Sequence, residues 1–282
     1  MEGILPTAWV AGNMTASHLA SIPAFDHGIT VGDGVFETVK VVRGRPFAAR
    51  RHLERLGASA AGLGLPRPDP ATVRDAMDAV ITANGLEAVT GPVLRVTYTG
   101  GPGPLGSGRP HDLEPTLIVA AAGTRPWAPT SSVLVVEWVR NERGALSGLK
   151  TTSYGENVVA LAAAHDAGAD EAIFANTRGD LCEGTGTNVF VAAGGRLLTP
   201  PLSSGCLAGV TRSLVLETGL AEEADLPLDA LRRADEAFLT STTRDVHPIA
   251  MVDGQRLPAT PGPLTARAAA AFAELVAKNL DP

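Results

Sequence analysis

One amine stands out among the charged side chains of this sequence. The chain has 282 residues, and of its 23 basic side chains only three are lysines: Lys40, Lys150 and Lys278. Lys150 lies in the stretch ALSGLKTTSYGEN, between small and hydroxyl-bearing residues. A lysine in partly desolvated surroundings can attack a carbonyl carbon and form a Schiff base, whereas a solvated lysine is only a surface charge. Lys150 is therefore a candidate nucleophile, with the surface charge as the alternative.

Three later stretches carry groups that could accompany a reactive amine. Glu183 lies between a predicted strand and the glycine-rich turn GTGTN, where the backbone can approach a planar ring closely. Gly209 precedes a predicted helix that begins near Val210 and Thr211, whose first N–H groups suit an anion. Three adjacent hydroxyls end another predicted strand: Ser241, Thr242 and Thr243. An amine, an acid and several phosphate donors are the groups that pyridoxal phosphate requires.

The elements that must position these residues fall into two predicted domains. A small N-terminal α+β domain is expected at 1–121, a linker with two prolines at 122–130, and a large C-terminal domain carrying Lys150 at 131–282. The first domain is predicted to contain strands at 34–47, hinged at Gly44, helices at 48–63 and 69–85, and strands on either side of a Gly/Pro-rich loop at 100–110.

The second domain is predicted to alternate strands with helices. The expected helices are 155–167, 210–220, 227–234 and 262–279, and the expected strands are VLVVEWV, EAIFAN, NVFVAA, RLLTPP and EAFLTSTT. Two α/β or α+β domains of this kind are expected to meet at a cleft, where small-molecule sites usually lie.

The segment GPGPLG, at 101–106, matches the dinucleotide-binding pattern G-x-G-x-x-G. That pattern requires a helix to begin at the glycines and an acidic residue about 20 positions later. Pro102 and Pro104 occupy the turn, and the following SGRPHDLEP cannot begin a long helix. We therefore interpret the segment as a proline-stiffened loop.

Composition excludes several classes of protein. The formal charge of −7 and a pI near 5.4 argue against nucleic-acid binding. The start MEGILPTAWVAGN does not resemble a signal peptide, and apolar runs fall short of the roughly 20 residues needed to span a bilayer. Cys182 and Cys206 form no C-x-x-C pair, and we interpret each as a buried thiol. The sequence predicts a cytoplasmic protein with no metal site.

Five blocks of the sequence, met in order, carry a family resemblance. They are DHGITVGDGVFETVKV with HLERL, LKTTSYGENVVAL with GADEAIF, CEGTGTNVFV, LLTPPLSSGCLAGVTR, and DEAFLTSTTRDVHPI. Together they resemble the motifs of the class IV aminotransferases, the pyridoxal phosphate enzymes of fold type IV. The resemblance implies the two-domain fold type IV (D-amino acid aminotransferase-like) architecture, with pyridoxal 5′-phosphate as cofactor and a homodimer as the assembly.

The resemblance also assigns roles to residues that bind the cofactor. Lys150 resembles the Schiff-base lysine, which also moves the proton between the substrate Cα and the cofactor. Glu183 resembles the acid that pairs with the pyridine nitrogen, and Arg55 in HLERL resembles the arginine that clamps the phosphate. The residue packed against the ring and the further phosphate donors are expected to be Leu207, Val210, Thr211, Ser241 and Thr242.

The same blocks bear on the substrate. Segment 31–40, VGDGVFETVK, is similar to D-amino acid transaminases and to 4-amino-4-deoxychorismate lyases. Branched-chain enzymes show H-Y-G-x-x-x-F-E-G, whose Tyr is Val31 here and whose last Gly is Thr38. The arginine with which D-amino acid enzymes hold the α-carboxylate is replaced by Tyr98. Two alternatives follow: carboxylate binding moves to Arg109 or Arg244, or the enzyme accepts substrates with a weaker need for carboxylate binding.

A cofactor of this type usually meets a phenol at its 3′-oxygen. The two positions where relatives place that phenol are Phe36 and Ala169 here, so Tyr98, Tyr154 or a water is expected to substitute. Arg143 is a further candidate near the amine. The expected substrate-binding residues are Phe36, Thr38, Tyr98, Arg109, Tyr154 and Thr243.

Three functions remain open at this stage. The leading hypothesis is a transaminase acting on D-amino acids, with a small-molecule α-keto acid as acceptor; activity on (R)-amines is left open. The alternatives are a lyase that releases 4-aminobenzoate and pyruvate from aminodeoxychorismate, and a branched-chain L-amino acid aminotransferase. A non-catalytic binding protein on the same fold would be expected to lose Lys150 or Glu183, and both are present.

Overall fold

The computed structural model describes residues 3–282 and divides into two units. One unit runs to Arg125 and also takes in Leu149–Ser153 and Asn279–Pro282. The other comprises Pro126–Gly148 and Tyr154–Lys278.

The first unit is built on an antiparallel sheet of six strands. Its strands are β1 Thr7–Val10, β2 Asn13–Ala16, β3 Gly34–Val42, β4 Arg45–Pro46, β5 Val93–Thr99 and β6 Thr116–Ala122. Their order across the sheet is β2-β1-β6-β5-β3-β4. β3 and β5 pair closely, with Phe36 opposite Thr97 and Thr38 opposite Arg95.

Three helices accompany this sheet: α1 His27–Thr30, α2 Ala49–Gly62 and α3 Pro70–Ala83. Asp69 accepts hydrogen bonds from Ala71 and Thr72 at the start of α3, as the sequence predicts for a capping residue. Apolar side chains on alternate positions of β3 and β5 meet one face of α2 and of α3, and these form the core. Because neighbouring strand residues point to opposite faces, Phe36 and Arg95 lie on the face away from this core.

The second unit is built on a mixed sheet of nine strands. Its strands are β7 Ser131–Arg140, β8 Glu171–Asn176, β9 Leu181–Gly184, β10 Asn188–Ala193, β11 Arg196–Thr199, β12 Ala221–Glu223, β13 Glu236–Ser241, β14 Asp245–Val252 and β15 Gln255–Arg256. Their order is β12-β11-β10-β13-β14-β7-β8-β9, with β15 paired to β14. The pairs β11–β12, β14–β7 and β7–β8 are parallel, and the other pairs are antiparallel.

Four helices belong to this unit: α4 Gly155–Asp166, α5 Val210–Glu217, α6 Asp229–Arg232 and α7 Pro263–Lys278. β8 is buried along its whole length, which fits a strand that is paired on both sides. Buried Val, Leu and Ile side chains of the sheet form the core with Leu226 and Leu231. The α/β and α+β architecture expected for fold type IV is therefore observed.

The boundary between the units falls near the expected linker, but one feature differs from the expected domains. Leu149–Ser153, which includes Lys150, belongs with the first unit, although the sequence places it in the second domain. The reason is backbone pairing: the Phe36 N–H donates to the Lys150 carbonyl at 2.9 Å, and the Thr152 N–H donates to the Gly34 carbonyl at 2.8 Å. A short segment far along the chain thus extends the pairing of β3.

Most of the regular elements agree with the sequence patterns. The elements that the patterns do not predict are the short helix α1 and the strands β1, β2, β9, β12, β14 and β15. The Gly/Pro-rich segment 100–110 forms a loop, as its prolines lead one to expect. In the described part of the chain, every helix is too short or too polar to cross a membrane.

Candidate active site

Lys150 is held between β3 and α2 by its backbone. Its carbonyl accepts the hydrogen bond from Phe36, and its own N–H donates to Ser59 Oγ at 3.1 Å. Ser59 is buried on α2. The preceding Leu149 packs on Gly62, where an added Cβ would lie 2.6 Å from Leu149 Cδ2. The position of the lysine backbone is therefore fixed on two sides.

The amine of Lys150 lies against an aromatic ring. Its Nζ is 4.3 Å from the centroid of the Phe36 ring, a distance typical of a cation–π contact. The guanidinium carbon of Arg95 is 3.2 Å from the centroid of the same ring. Phe36 is buried, whereas Arg95 is exposed. One aromatic side chain thus contacts two cations, one of them a candidate nucleophile.

On the other face of β3, a buried carboxylate holds Arg55. Glu37 Oε1 and Oε2 each accept a hydrogen bond from the Arg55 guanidinium, both at 2.7 Å. The same Glu37 Oε2 lies 2.7 Å from His52 Nδ1. Glu37 and His52 are almost wholly buried, and Arg55 is 13 % exposed. This bidentate geometry fixes the plane and direction of the guanidinium.

The electrostatics of this group follow from burial and charge. Burial alone would raise the pKa of Glu37, but the charge and hydrogen bonds of Arg55 and His52 outweigh it and hold that pKa well below its usual range. Burial lowers the pKa of His52; Glu37 opposes this shift, and the charges of Arg55 and Lys150 add to it. The pair is therefore an ionised Glu37 with a neutral His52 that donates from Nδ1.

In the second unit, Glu183 lies on β9 and is held by two groups. Its Oε2 accepts a hydrogen bond from the Leu207 N–H at 2.8 Å, and its Oε1 is 3.2 Å from Arg140 Nε. The Arg140 guanidinium carbon lies 4.0 Å from the centroid of the Phe174 ring. Glu183 is 13 % exposed. The carboxylate is thus oriented by a backbone donor and a stacked cation.

The turn that follows Glu183 is anchored by a second buried acid. Glu171 accepts hydrogen bonds from the N–H of Thr185 at 3.0 Å, from the hydroxyl of Thr185, and from the hydroxyl of Thr187 at 3.3 Å. Arg244 Nη2 lies 3.6 Å from Glu171 Oε2. Because Glu171 fixes both ends of this turn, it also fixes the end of β9 that carries Glu183.

The start of α5 forms an anion-binding geometry. Gly209 precedes the helix, and a Cβ there would lie 2.0 Å from Asn188 Oδ1, so the backbone approaches this side chain more closely than any other residue permits. Asn188 in turn donates to the Leu207 carbonyl at 2.9 Å. Val210 and Thr211 are the first helical residues, whose N–H groups have no acceptor within the helix.

The hydroxyl cluster lies at the turn between β13 and β14. Ser241 Oγ accepts from the Arg244 N–H at 3.2 Å and lies 3.4 Å from Thr243 Oγ1, so it stabilises the turn. Trp127 Nε1 donates to the Thr243 carbonyl at 3.1 Å. Thr242 lies at the centre of this turn and is half-buried. Thr240 Oγ1 is buried and lacks a hydrogen-bond partner among the described residues.

Three residues predicted to bind substrate are engaged elsewhere. Tyr98 is buried in the core of the first unit, on the opposite face of the sheet from Phe36, and burial raises its pKa. Arg109 binds Asp33 through two hydrogen bonds of 2.6 and 2.7 Å and also donates to two backbone carbonyls, so it anchors the loop 100–110. Arg244 stacks on Trp127 and binds Ser131 and Glu171. In this structure Tyr98 therefore packs in the core, and Arg109 and Arg244 bind acidic side chains of the protein.

The remaining candidates are more dispersed. Thr38 is half-buried on the same face of β3 as Phe36. Tyr154 is half-buried at the start of α4. Arg143 is 84 % exposed and lies beside Glu142, and His111 is exposed.

Sequence reasoning missed three residues of this site. Arg95 alternates with the core residues Leu94 and Val96, so the strand period by itself places it on the face of Phe36. Glu37 directly follows Phe36, and no feature of the sequence apart from the F-E-T block indicates that it binds Arg55. Arg140 ends β7, and only the parallel pairing of β7 with β8 brings it beside Phe174 and Glu183.

The sequence of this chain matches a known protein family. The family model described as amino-transferase class IV matches residues 34–252. The chain therefore belongs to the class IV aminotransferases, as the five sequence blocks indicate, and it is an enzyme. Class IV aminotransferases use pyridoxal 5′-phosphate.

Individual relatives differ in the substrate that their names state. A D-alanine aminotransferase of Listeria innocua is 32% identical over 273 residues, covering 92% of both chains. A protein of Methanocaldococcus jannaschii named "Putative branched-chain-amino-acid aminotransferase" is 32% identical over 244 residues, covering 84% of each chain.

Solved structures share the fold over nearly the whole chain. The Escherichia coli branched-chain amino acid aminotransferase has a TM-score of 0.88 at 28% identity, covering 96% of this chain and 94% of that one. The branched-chain aminotransferase of the archaeon Thermoproteus uzoniensis, solved with norvaline, has a TM-score of 0.88 at 28% identity, covering 96% of this chain and 95% of that one. A Legionella pneumophila "Putative 4-amino-4-deoxychorismate lyase" has a TM-score of 0.84 at 25% identity, covering 92% of this chain and 96% of that one.

The residues present fit pyridoxal phosphate. Four groups are relevant. They are the Lys150 amine against an aromatic ring, the Arg55 guanidinium held in a fixed plane, the oriented Glu183 carboxylate, and the start of α5 after Gly209. These are the groups that an aldehyde, a phosphate and a ring nitrogen require.

Proposed function

We propose that this enzyme is a transaminase that moves an amino group from D-amino acids to an α-keto acid. The family and the type of cofactor are established, whereas the substrate is the proposal. Its support comes from the cations around Phe36 and from the similarity to D-alanine aminotransferases across most of both chains.

The residues that would hold pyridoxal phosphate each have a distinct task. Lys150 would hold the aldehyde carbon through Nζ, and Glu183 would accept the hydrogen bond of the ring nitrogen. Leu207 would pack against the ring. The phosphate would be bound by Arg55, by the N–H groups of Val210 and Thr211, and by the hydroxyl of Thr242, with Ser241 stabilising the turn that carries Thr242.

The cofactor, when bound, supplies an electron-poor ring that stabilises negative charge at the substrate Cα. Lys150 Nζ would take the proton from the substrate Cα and deliver it to the former aldehyde carbon of the cofactor. Water would then supply the oxygen of the keto acid, and the amino group would stay on the cofactor. The Phe36 ring keeps this amine in one place and shields one side of it from water, since it lies 4.3 Å away and is itself buried. Arg140 and the Leu207 N–H keep the Glu183 carboxylate pointing in one direction.

The observation that supports an α-amino acid as substrate is the contact of the Phe36 ring with both Lys150 and Arg95. An α-amino acid has its amine and its carboxylate on the same carbon, so it needs a cation close to the reactive amine. Arg95 is exposed and lies on the same face of the sheet as Phe36, with its guanidinium carbon 3.2 Å from the centroid of that ring. Arg95 would thus replace the arginine that is missing at Tyr98.

The experiment adds D-alanine or D-glutamate to the yellow holoenzyme without any keto acid. We expect the visible absorbance to fall and the pyridoxamine form to accumulate, with the matching keto acid released in equal amount. L-Leucine and L-valine serve as the comparison. A faster response to these L-amino acids would overturn the proposal in favour of a branched-chain aminotransferase.

A lyase is the second candidate, and its support is the similarity to the Legionella protein together with the G-D-G segment at 32–34. Release of 4-aminobenzoate and pyruvate from aminodeoxychorismate, with an unchanged spectrum in D-amino acids, would select it. The same preparation of holoenzyme serves for both measurements.

A further inference from the structure

One face of α2 connects the two ends of the proposed cofactor site. His52, Arg55, Ser59 and Gly62 are spaced by three, four and three residues, so they lie along one face of the helix. All four positions contact β3 or the lysine segment, and His52 does so through Glu37. Arg55 binds Glu37, Ser59 accepts the Lys150 N–H, and Gly62 leaves room for Leu149.

We infer that Glu37 and Ser59 are positioning residues that fix the spacing between the Arg55 guanidinium and the Lys150 amine, with α2 as their common support. Glu37 acts through Arg55 at the phosphate end, and Ser59 acts through the Lys150 backbone at the covalent end. The inference rests on the proposed roles of Arg55 and Lys150 in binding the cofactor.

Burial and geometry support a positioning role for Glu37. Its two oxygens accept hydrogen bonds from Nε and Nη2 of Arg55. The position of Glu37 therefore sets the direction of the guanidinium. His52 holds Glu37 in turn, at 2.7 Å, and is itself 2 % exposed. A carboxylate that served only to neutralise a charge would not need this second buried partner.

Ser59 has the corresponding role at the other end. Its hydroxyl is the acceptor for the Lys150 N–H, and it is buried on the helix between Arg55 and Gly62. The Lys150 carbonyl is engaged by Phe36 on β3. Because the N–H and the carbonyl of Lys150 are both hydrogen-bonded, the Cα that carries its side chain is held in place.

The test measures binding of two ligands to the apoenzyme: pyridoxal 5′-phosphate and pyridoxal, which lacks the phosphate. Glu37→Asp keeps the negative charge but shortens its reach to Arg55. We expect it to weaken binding of pyridoxal 5′-phosphate by about tenfold or more, the effect of losing one charge-assisted hydrogen bond, and to leave pyridoxal binding unchanged. Ser59→Ala is expected to weaken both ligands equally, because it acts at the amine that both use.

Two further variants separate positioning from folding. His52→Ala is expected to reproduce the phosphate-dependent loss, and His52→Asn, which retains a donor near the Nδ1 position, to restore most of the affinity. The matched control is Glu54→Gln. Glu54 is an exposed carboxylate on the same helix and pairs with Arg50, so this variant should bind both ligands as the wild type does. Thermal melting of each apoenzyme verifies that the variants are folded.

Two results would overturn the inference: Glu37→Asp binding both ligands as the wild type does, or losing affinity for both by the same factor. The assay contains no amino acid, so it does not depend on the identity of the substrate. Failure of the wild-type enzyme to bind either ligand at Lys150 would instead refute the proposed role of that lysine.

Discussion

At the scale of single residues, the contact between Lys150 and Phe36 is the reactive end of the proposed site. Relatives place a phenol at one of the positions that Phe36 and Ala169 occupy, and here the ring at position 36 carries no hydroxyl. The ring instead contacts the Lys150 amine at 4.3 Å and the Arg95 guanidinium at 3.2 Å. Under the proposed function, the substrate carboxylate would bind beside these two cations.

Replacing Lys150 by Ala should abolish covalent attachment of the cofactor. Borohydride reduction followed by peptide mapping is expected to find the pyridoxyl group on Lys150 in the wild type and on no peptide in the variant. Activity should fall by about 10²–10⁴-fold from the lost proton transfer alone. A pyridoxyl group on another residue of the wild type would contradict this role.

Replacing Arg95 by Leu should affect substrates according to whether they carry a carboxylate. A hydrogen bond to a charged group contributes about 1.5–3 kcal/mol, so we expect its loss to lower kcat/KM for D-alanine roughly 10- to 150-fold. For (R)-1-phenylethylamine, which has no carboxylate, kcat/KM should stay nearly constant. Arg196→Leu, at a site 68 % exposed in the second unit, is the control. Equal losses for both substrates would show that Arg95 does not bind the carboxylate.

At the scale of elements, two short segments carry most of the proposed phosphate contacts. The start of α5 depends on Gly209, and the turn between β13 and β14 depends on Ser241 and Trp127. α5 packs against β13, so the helix start and this turn belong to one local structure. Their sequences predict a helix start and a hydroxyl-rich strand end, and both features are observed.

Gly209→Ala should disturb this structure because the new Cβ would lie 2.0 Å from Asn188 Oδ1. Displacing Asn188 also breaks its hydrogen bond to the Leu207 carbonyl. We expect the free energy of unfolding to fall by about 1–3 kcal/mol and affinity for pyridoxal 5′-phosphate to fall with it. Chemical unfolding and cofactor titration measure the two effects.

Gly155→Ala is the matched control for this prediction. Gly155 begins α4, and a Cβ there has nothing within 4 Å among the described atoms. The substitution should leave cofactor affinity unchanged and slightly stabilise the helix. Similar behaviour of the two alanine variants would mean that the contact at Gly209 relaxes without cost.

At the scale of the whole molecule, the buried Glu37–His52–Arg55 group makes stability sensitive to acid. The pKa of Glu37 is lower in the folded chain than in the unfolded chain, so its contribution is present near neutral pH and is lost as the pH falls. His52 acts in the same direction: since its folded pKa is also lowered, protonation favours the unfolded chain below a pH of about 6.5.

We therefore expect the free energy of unfolding of the apoenzyme to fall by about 2 kcal/mol through Glu37 between a pH of about 5 and about 3. The Glu37→Gln variant should be less stable at neutral pH and should show a shallower decline. Urea unfolding at a series of pH values measures both curves, and Glu54→Gln should follow the wild type. Parallel curves for the wild type and Glu37→Gln would show that Glu37 does not carry the effect.

Much of the fold was predictable from local patterns. The helices α2 and α3 follow from apolar spacing, the Asp69 cap and Pro70, and β5 and β6 follow from alternating or continuous apolar runs. The short strands β1 and β2 are too weakly patterned to be recognised, since their stability comes from pairing with each other and with β6. The unit to which Lys150 belongs was also not predictable, because its segment pairs with β3, which lies far earlier in the chain.

The sequence by itself determined the family and indicated candidate residues for its chemistry, because the lysine, the acid and the helix start each lie in a short block of characteristic composition. Tertiary structure alone decided which arginines lie beside these candidates. Arg109 and Arg244 are the cations that spacing along the chain favours, yet Asp33 and Glu171 bind them from distant parts of the chain. Arg95 and Arg140 gain their positions from pairing between strands, β5 with β3 and β7 with β8. Pairing of this kind joins residues far apart in sequence, so no local pattern records it.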